Sequence, residues 1–336
     1  MKGRLEHSSS ESLIYQNLPL KDSKAENISI FVLIPGNPGL VEFYITYLDL
    51  IQQSFKDFEI LALGHAGYEP PNGPFNSYSL DFQIEDKVEK LKSKINNYEK
   101  HVDIYFLSHS VGSYITQRIV EKLINDKKFR DQADIKFIGL ICPTIYDIAK
   151  SDSGRRFVAL LTHIPIVAIT LYLISFLNLI LTDSTAKWII RHFFIAKPKL
   201  QDETSLSSWE NSVQGAFKIY KSPTIVEQTL TLASEEMTCI NLDDTINDWF
   251  FKEFPVKNQT KVWAFFANED YWVHKSTRDH LLKLYHNLNV PNLYFDVGDI
   301  HDGIGHSFCV DQSVEFSEIT VRTLKSLFPD LASEQP

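Results

Sequence analysis

Short runs of β-branched and aromatic residues alternate with helix-length amphipathic segments along most of this chain. The runs predict buried strands at 28–36, 58–65, 101–108, 135–143, 261–270 and 292–299. Helices are predicted between and after them, at about 41–55, 80–100, 111–124, 276–289 and 311–328. Because two parallel strands need a covering element in their connection, this alternation predicts an α/β fold. Its sheet should be mostly parallel, with helices on both faces.

The alternation stops at about residue 148 and resumes at about residue 258, so the sheet is predicted to carry one long helical insertion. We therefore expect residues 1–27 to form a variable N-terminal segment, 28–147 and 258–336 the sheet core, and 148–257 the insertion. The net charge of −10 and the absence of a long basic run argue against nucleic-acid binding. Since the sequence has no nucleotide, metal or haem motif, we expect no cofactor.

The segment LSHSVGSY (107–114) places Ser110 between a predicted strand and a predicted helix. A serine in this position is typical of a nucleophile elbow, a tight turn that raises the hydroxyl above the edge of the sheet. The turn needs small residues two positions before and after the serine, because the backbones approach closely. Gly112 meets this need, and Ser108 stands where the usual motif has glycine. We predict Ser110 as a nucleophile, with an ordinary strand-to-helix turn as the alternative.

A serine nucleophile needs a base and an acid that orients the base, and in folds of this kind they follow the serine in the order acid, then histidine. Asp270 comes at the end of a predicted strand and is the predicted acid, with Glu269 as the alternative. His301 and His306 follow the last predicted strand. His306 is the preferred base because it lies deeper in the loop, just before the final helix. Two other histidines are interpreted as scaffold or pocket-wall residues, His65 and His109.

The turn PGNPG (35–39) follows the first predicted strand and suits an oxyanion hole, in which main-chain N–H groups face the developing negative charge. One donor is predicted to be the N–H of Val111, directly after the nucleophile. The other is predicted to be the N–H of Asn37, since the glycines of the turn permit close backbone approach and Pro38 has no N–H. A plain turn that joins a strand to a helix is the alternative.

Four segments together resemble the lipid-droplet-associated hydrolase family: IPGNPGLVEFY (34–44), HSVGSY (109–114), NED (268–270) and HSFC (306–309). The resemblance extends over residues 28–328, nearly the whole chain. It implies an α/β-hydrolase fold with nucleophile Ser110, acid Asp270 and base His306. It also implies residence on lipid droplets and on the cytosolic face of the endoplasmic reticulum, and ester substrates such as sterol esters or triacylglycerols.

Residues 157–182 contain no charged side chain over 26 positions, which is long enough for a membrane span. A single span would separate Ser110 from Asp270 and His306 by a bilayer, so the catalytic hypothesis excludes it. Pro165 also divides the segment. Two interpretations remain, namely apolar lid helices over the pocket, or a hairpin or interfacial segment that enters one leaflet.

The residues that flank this apolar run favour the membrane interpretation. Between residues 155 and 199 there are six basic side chains and a single acidic one, Asp183. A second apolar patch at 188–196 contains tryptophan and phenylalanine, which are common at membrane interfaces. Basic residues beside apolar ones favour an anionic phospholipid surface, so we expect residues 157–196 to bind the droplet or endoplasmic reticulum membrane.

Three functions are consistent with these patterns. The leading hypothesis is a serine ester hydrolase that acts on neutral lipids at the droplet surface. The second is a soluble thioesterase or carboxylesterase with an internal lid, against which the apolar run with its basic flanks argues. The third is a droplet-surface protein that binds lipid with little turnover, and reactivity of Ser110 toward a fluorophosphonate probe would distinguish it from an enzyme.

Overall fold

The computed structural model describes residues 3–21, 26–71, 76–198, 201–242, 244–299 and 303–333. Within them, eight strands form one sheet in the order β1-β2-β4-β3-β5-β6-β7-β8. The strands are β1 (Arg4–Ser8), β2 (Ser12–Asn17), β3 (Ile28–Ile34), β4 (Glu59–Leu63), β5 (Val102–His109), β6 (Ala133–Ile141), β7 (Lys261–Phe266) and β8 (Leu293–Val297). The pairs β1–β2 and β2–β4 are antiparallel and all other pairs are parallel. The predicted α/β fold with a mostly parallel sheet is confirmed.

The helices outside the insertion either connect the parallel strands or follow the last of them. They are α1 (Ile45–Ser54), α2 (Leu80–Ile95), α3 (Val111–Ile124), α4 (Lys127–Gln132), α12 (Lys275–Tyr285), α13 (Phe308–Asp311), α14 (Ser313–Leu327) and α15 (Pro329–Ser333).

The order of the strands determines which face of the sheet each connecting helix covers. The connection from β3 to β4 crosses the sheet in one direction, and the connections from β4 to β5 and from β5 to β6 cross it in the other. Right-handed crossovers therefore place α1 on one face and α2 and α3 on the other. In agreement, α1 packs against α14, and α2 packs against α3.

The central strands coincide with the predicted runs because they are buried on both faces. All five residues of β4 are buried, and β3, β5, β6 and β7 are buried over most of their lengths. A strand that is covered on both sides has a nearly continuous apolar sequence, without alternation of polar and apolar residues. The largest difference from prediction is at the end of β7, which stops at Phe266, so that Asp270 lies in the following loop.

The N-terminal segment requires a correction. Residues 1–27 were expected to be a variable segment before the core, but β1 and β2 lie in this segment and extend the sheet. Strand β2 pairs with β4 from Ile14 opposite Leu63 to Asn17 opposite Ile60. The side chain of Tyr15 is buried. The sheet therefore begins at Arg4 rather than at the start of β3.

The described residues between β6 and β7 are largely helical. The helices are α5 (Asp152–His163), α6 (Ile166–Ile180), α7 (Asp183–Ile189), α8 (Glu203–Lys221), α9 (Pro223–Cys239), α10 (Asp244–Asp248) and α11 (Phe254–Lys257). The last part of the predicted insertion belongs to the core, because Phe250, Phe251 and Phe254 are buried in the main hydrophobic cluster. Helix α9 also contributes Ile225 and Leu232 to this cluster, so the insertion packs on the core along part of its length.

The long apolar segment forms two helices rather than one. Helices α5 and α6 meet at an angle of 90° where Ile164 and Pro165 interrupt the helical path. Over the described part of the chain, no one helix combines the length and apolar character needed to cross a membrane, and only this bent pair meets both criteria when taken together.

Candidate active site

Ser110 lies in a strained turn between β5 and α3. Its backbone has φ 53° and ψ −124°, a region that non-glycine residues seldom occupy. A Cβ at Gly112 would lie 2.4 Å from the carbonyl oxygen of Ile34, so this position accommodates only glycine. The strand, the strained serine and the close backbone approach together form the geometry of a nucleophile elbow.

The departure from the usual elbow motif at Ser108 is accommodated without disturbing the turn. Its side chain is fully buried, and its hydroxyl lies 2.7 Å from the hydroxyl of Thr116 on α3. This hydrogen bond satisfies the buried polar group that replaces glycine. The elbow therefore tolerates serine at this position because the second turn of α3 supplies a hydroxyl partner.

The structure brings Ser110, His306 and Asp270 into one hydrogen-bonded series. The Oγ atom of Ser110 lies 3.0 Å from Nε2 of His306, and Nδ1 of His306 lies 2.8 Å from Oδ2 of Asp270. The histidine comes from the loop between β8 and α13, and the aspartate from the loop after β7. These separations are those of a nucleophile, a base and an orienting acid within hydrogen-bond reach of one another.

The alternative acid, Glu269, takes no part in this series. Glu269 is exposed to solvent, while the neighbouring Asp270 is turned inward against His306. His301 lies outside the described residues. The roles of nucleophile, base and acid remain predictions for the three residues that the fold has brought together.

The groups around Asp270 favour its ionised form. Burial alone raises the pKa of a carboxyl, but His306 and two main-chain N–H groups outweigh burial and lower the pKa of Asp270 below its ordinary value. These N–H groups belong to Trp272 and Val273 and lie 2.7 Å and 2.9 Å from Oδ1. One carboxylate oxygen is thus held by the loop, which leaves the other free to orient the imidazole.

His109 supports the loop that carries His306, a role that the sequence did not reveal. Burial, and next the neighbouring His306, lower the pKa of His109 to about 3, so its ring is neutral near neutral pH. In the tautomer that satisfies both contacts, Nε2–H donates to the carbonyl oxygen of His306 at 2.8 Å and Nδ1 accepts from the hydroxyl of Tyr44 at 2.7 Å. The Tyr44 hydroxyl in turn accepts the N–H of Gly36 at 3.0 Å. His109 is therefore a positioning residue that links the histidine loop to the turn after β3.

The turn predicted to supply an oxyanion donor lies against Ser110. A Cβ at Gly36 would lie 3.0 Å from the Cβ of Ser110, so the turn and the elbow are in close contact. Within the described ranges, the main-chain N–H groups of Asn37 and Val111 have no hydrogen-bond acceptor. Two such N–H groups near a serine nucleophile are able to stabilise a developing oxyanion.

Among the residues that the structure describes, two groups of side chains have the residue types and spacing of a metal site. In the first, one ligand atom each from Cys142, Asp270 and His306 lie within 4.8 Å of one another. Burial raises the pKa of the Cys142 thiol, which disfavours the thiolate that a metal needs. Both ring nitrogens of His306 already have hydrogen-bond partners. This group therefore fits a hydrogen-bonded catalytic series better than a metal site.

The second group comprises His101, Asp103 and Asp134, at the opposite ends of strands β5 and β6 from Ser110. Here the ammonium group of Lys136 lies 3.4 Å from Asp103 and 2.8 Å from Asp134. The lysine supplies the positive charge that a cation would otherwise provide. The group is thus a surface ion-pair cluster.

Comparison with known structures identifies the fold. A laboratory-evolved variant of potato epoxide hydrolase superposes with a TM-score of 0.59 at 15% identity, covering 97% of this chain and 100% of that one. An esterase from Exiguobacterium antarcticum gives a TM-score of 0.53 at 13% identity, covering 96% and 99%. The fold of this chain is therefore that of the α/β-hydrolases, as the sequence predicted.

Comparison of sequences identifies the family. A chicken (Gallus gallus) protein named lipid droplet-associated hydrolase is 24% identical over 93% of this chain and 89% of its own length. A mouse (Mus musculus) protein of the same name is 23% identical over 94% and 90%. The sequence model described as lipid-droplet associated hydrolase matches residues 27–309, which include the turn after β3, the elbow and the histidine loop. The chain therefore belongs to the lipid-droplet-associated hydrolase family.

Proposed function

We propose that this chain is a serine hydrolase that cleaves ester bonds of neutral lipids, sterol esters or triacylglycerols, at the surface of lipid droplets. The observation that carries the proposal is the hydrogen-bonded series Ser110–His306–Asp270. Nε2 of His306 accepts the proton of the Ser110 hydroxyl as its oxygen attacks the ester carbonyl, and Asp270 stabilises the imidazolium. The same proton then passes to the leaving alcohol. Water, activated by His306, hydrolyses the acyl-enzyme and restores the serine.

The negative charge that forms on the carbonyl oxygen needs donors that are already in place. The N–H groups of Val111 and Asn37 are suited to this role, because one lies at the start of α3 and the other in the turn beside Ser110. The N–H of Gly36 is already bonded to Tyr44, which leaves Asn37 as the next donor in the turn. Donors of this kind stabilise the transition state by several kcal/mol, roughly 3–4 kcal/mol each in comparable enzymes.

Helix α6 provides the main argument for attachment to a lipid surface. One of its faces packs against α8 and α9, yet it has no fully buried residue. The opposite face, where a soluble helix normally carries polar side chains, is also apolar. Tyr172 and Leu179 on this face are 76% and 83% exposed. An exposed apolar area of this kind usually marks an interaction site.

We name this area the docking surface. It comprises the exposed large apolar side chains of residues 157–194: Val158, Leu160, Ile164, Ile169, Tyr172, Leu173, Phe176, Leu179, Ile180, Trp188, Phe193 and Phe194. Its proposed occupant is the phospholipid monolayer of a lipid droplet or the cytosolic leaflet of the endoplasmic reticulum. A helix that lies in one leaflet needs no span, which agrees with the bent geometry of α5 and α6.

The basic residues that flank the docking surface have fewer free charges than the composition indicates. Arg155 pairs with Asp152, Arg191 pairs with Glu210, and Lys187 lies over the ring of Phe217. Such pairs leave less charge available to anionic lipid. We therefore propose that apolar burial contributes more to attachment than electrostatic attraction does.

Helix α5, which carries the start of the docking surface, is hydrogen-bonded to a loop of the candidate active site. The N–H of Ser153, in the first turn of α5, donates to the carbonyl oxygen of Tyr271 at 3.0 Å. Tyr271 immediately follows Asp270, the proposed acid. A lipid surface that binds α5 and α6 would thus lie near the loop that carries the acid, as an enzyme that draws neutral lipid from a droplet requires.

Probe labelling and a substrate panel test this proposal. The folded wild-type protein should react with a fluorophosphonate probe, and mass spectrometry should find the modification on Ser110. Emulsified sterol esters or triacylglycerols should be hydrolysed with a higher kcat/KM than a soluble acyl thioester or short ester. Folded protein without label would instead support a lipid-binding protein with little turnover. Preference for the soluble substrates would support a thioesterase or carboxylesterase.

The identity of the base gives a separate prediction. Replacing His306 with alanine should lower kcat by about 10³-fold or more, because the serine loses the group that accepts its proton. Replacing His301 with alanine in the same loop is the matched control and should leave kcat within a small factor of wild type. Ester hydrolysis by both purified variants is the measurement. An inactive His301 variant beside an active His306 variant would contradict the assignment.

A further inference from the structure

The side chain of Asn37 is held by three hydrogen bonds, two of which come from a single helix of the insertion. Its Nδ2 group donates to the carbonyl oxygen of Thr229 at 3.0 Å and to Oε1 of Glu236 at 2.9 Å, both on α9. Its Oδ1 accepts from the hydroxyl of Tyr68 at 2.7 Å. Both amide hydrogens and the amide oxygen are therefore in use, which fixes the side chain in one orientation.

Glu236 is an unusual partner for this amide because it is buried. Only 5% of the residue is exposed, and burial raises the pKa of its carboxyl to about 7, opposed by the hydrogen bond from Asn37. A buried acid persists in a fold only where its neighbours satisfy it, and its removal leaves their polar groups unpaired. Asn37 and Glu236 therefore depend on each other, although 199 positions separate them in the chain.

Helix α9 is attached to the core at points other than Asn37. Gln228 exchanges two hydrogen bonds with the backbone of Tyr78, each of 2.8 Å. Glu235 accepts the N–H of Leu80 at 2.6 Å, at the first turn of α2. Helix α6, which carries much of the docking surface, packs on α9. The helix thus lies between the docking surface and the turn that contains Asn37.

We propose that Glu236 is a positioning residue for the oxyanion hole: through the Asn37 amide it fixes the direction in which the main-chain N–H of Asn37 points. This inference rests on the proposed function, since it assigns Asn37 as an oxyanion donor. The inference means that the insertion helps to position a catalytic group, in addition to covering the site or binding lipid. An oxyanion donor is effective only when it is held in place before the charge develops, and α9 provides that restraint.

The substitutions Glu236→Ala and Glu236→Gln test the proposal, with p-nitrophenyl butyrate as a soluble substrate that does not require the docking surface. Alanine should lower kcat about 10- to 100-fold with KM changed by less than about threefold, since the donor acts on the transition state more than on bound substrate. The carbonyl oxygen of glutamine can accept the same hydrogen bond from Asn37, and the glutamine side chain has the shape of the protonated acid. It should restore kcat to within about threefold of wild type.

Glu235→Ala is the matched control, because it removes the neighbouring carboxyl from the same helix without touching Asn37. Its kcat should stay near the wild-type value. Circular dichroism and thermal melting establish that each variant is folded, and the glutamine variant tests the proposal even where alanine impairs folding. Equal kcat for Glu236→Ala and Glu235→Ala, or no recovery with glutamine, would overturn the inference. A wild-type protein that neither reacts with fluorophosphonate nor hydrolyses the ester would overturn the proposed function itself.

Discussion

Replacing Ser110 with alanine should abolish fluorophosphonate labelling and lower ester hydrolysis by about 10⁴-fold or more, as loss of the nucleophile does in serine hydrolases. The hydroxyl oxygen is the only atom removed, so the loss would report chemistry rather than folding. Alanine has a Cβ as serine does, and it therefore bears a similar backbone strain at φ 53°. The measurements are probe labelling, initial rates on an emulsified ester, and thermal melting of both proteins.

Ser108 offers a matched control for this experiment. It is a buried serine two positions before Ser110, and its hydroxyl is hydrogen-bonded to Thr116. Changing Ser108 to alanine should preserve labelling and activity, with a loss of stability on the order of 1 kcal/mol from the missing hydrogen bond. Labelling that persists in the Ser110 variant and disappears in the Ser108 variant would place the nucleophile elsewhere.

The central sheet could be predicted because its strands are short, apolar and covered on both faces, whereas the N-terminal hairpin could not. Strand β1 has the sequence RLEHS, and most of its residues are exposed. It lies at the edge of the sheet, where one side meets water and charged residues are common. Strand β2 mixes polar and apolar residues and is held by antiparallel pairing to β4. Neither has the continuous apolar run by which the inner strands are found.

The candidate site was predictable in its main parts because chain topology determines where they lie. Parallel strands end at a common edge, so the elbow after β5 and the loops after β7 and β8 meet there. The supporting contacts could not be found in the same way. Glu236 reaches Asn37 only because of how α9 packs, and nothing in the local sequence of either residue indicates the other. His109 was interpreted as a scaffold or pocket-wall residue, and its bond to His306 depends equally on tertiary packing.

The sequence of the insertion indicated apolar surface but not which part of it would be covered. Residues 166–180 are apolar around the whole helix, so no hydrophobic period distinguishes an inner face from an outer one. In the structure, contacts with α8 and α9 determine the inner face, and Nδ2 of Asn178 donates to the carbonyl oxygen of Tyr220 at 2.9 Å. The outer face remains exposed, which distinguishes this helix from one that is buried within a lid.

Replacing four residues of the docking surface with glutamate should release the protein from lipid droplets into the cytosol. The four are the most exposed large apolar side chains of α6 and the following segment: Tyr172, Leu179, Phe193 and Phe194. Full burial of such a side chain contributes about 1.5–3 kcal/mol, so even partial insertion of four supports a large partition coefficient. Charged groups at these positions would oppose insertion. Fluorescence imaging of tagged variants in lipid-loaded cells measures the change, and deletion of residues 157–196 should release the protein at least as completely.

Exposed apolar residues outside the docking surface provide the control. Leu18, Leu242, Val256 and Leu288 are also exposed, and the same substitutions at these positions should leave the protein on droplets. Changing the four flanking basic residues to glutamine should weaken attachment less than the apolar substitutions do, because two of these charges are already paired with acidic side chains. The sites are Arg155, Arg156, Lys187 and Arg191.

Attachment by apolar insertion should also survive high salt, which screens electrostatic binding. A four-glutamate variant that still coats droplets would show that the anchor lies elsewhere and that α5 and α6 serve only to cover the site.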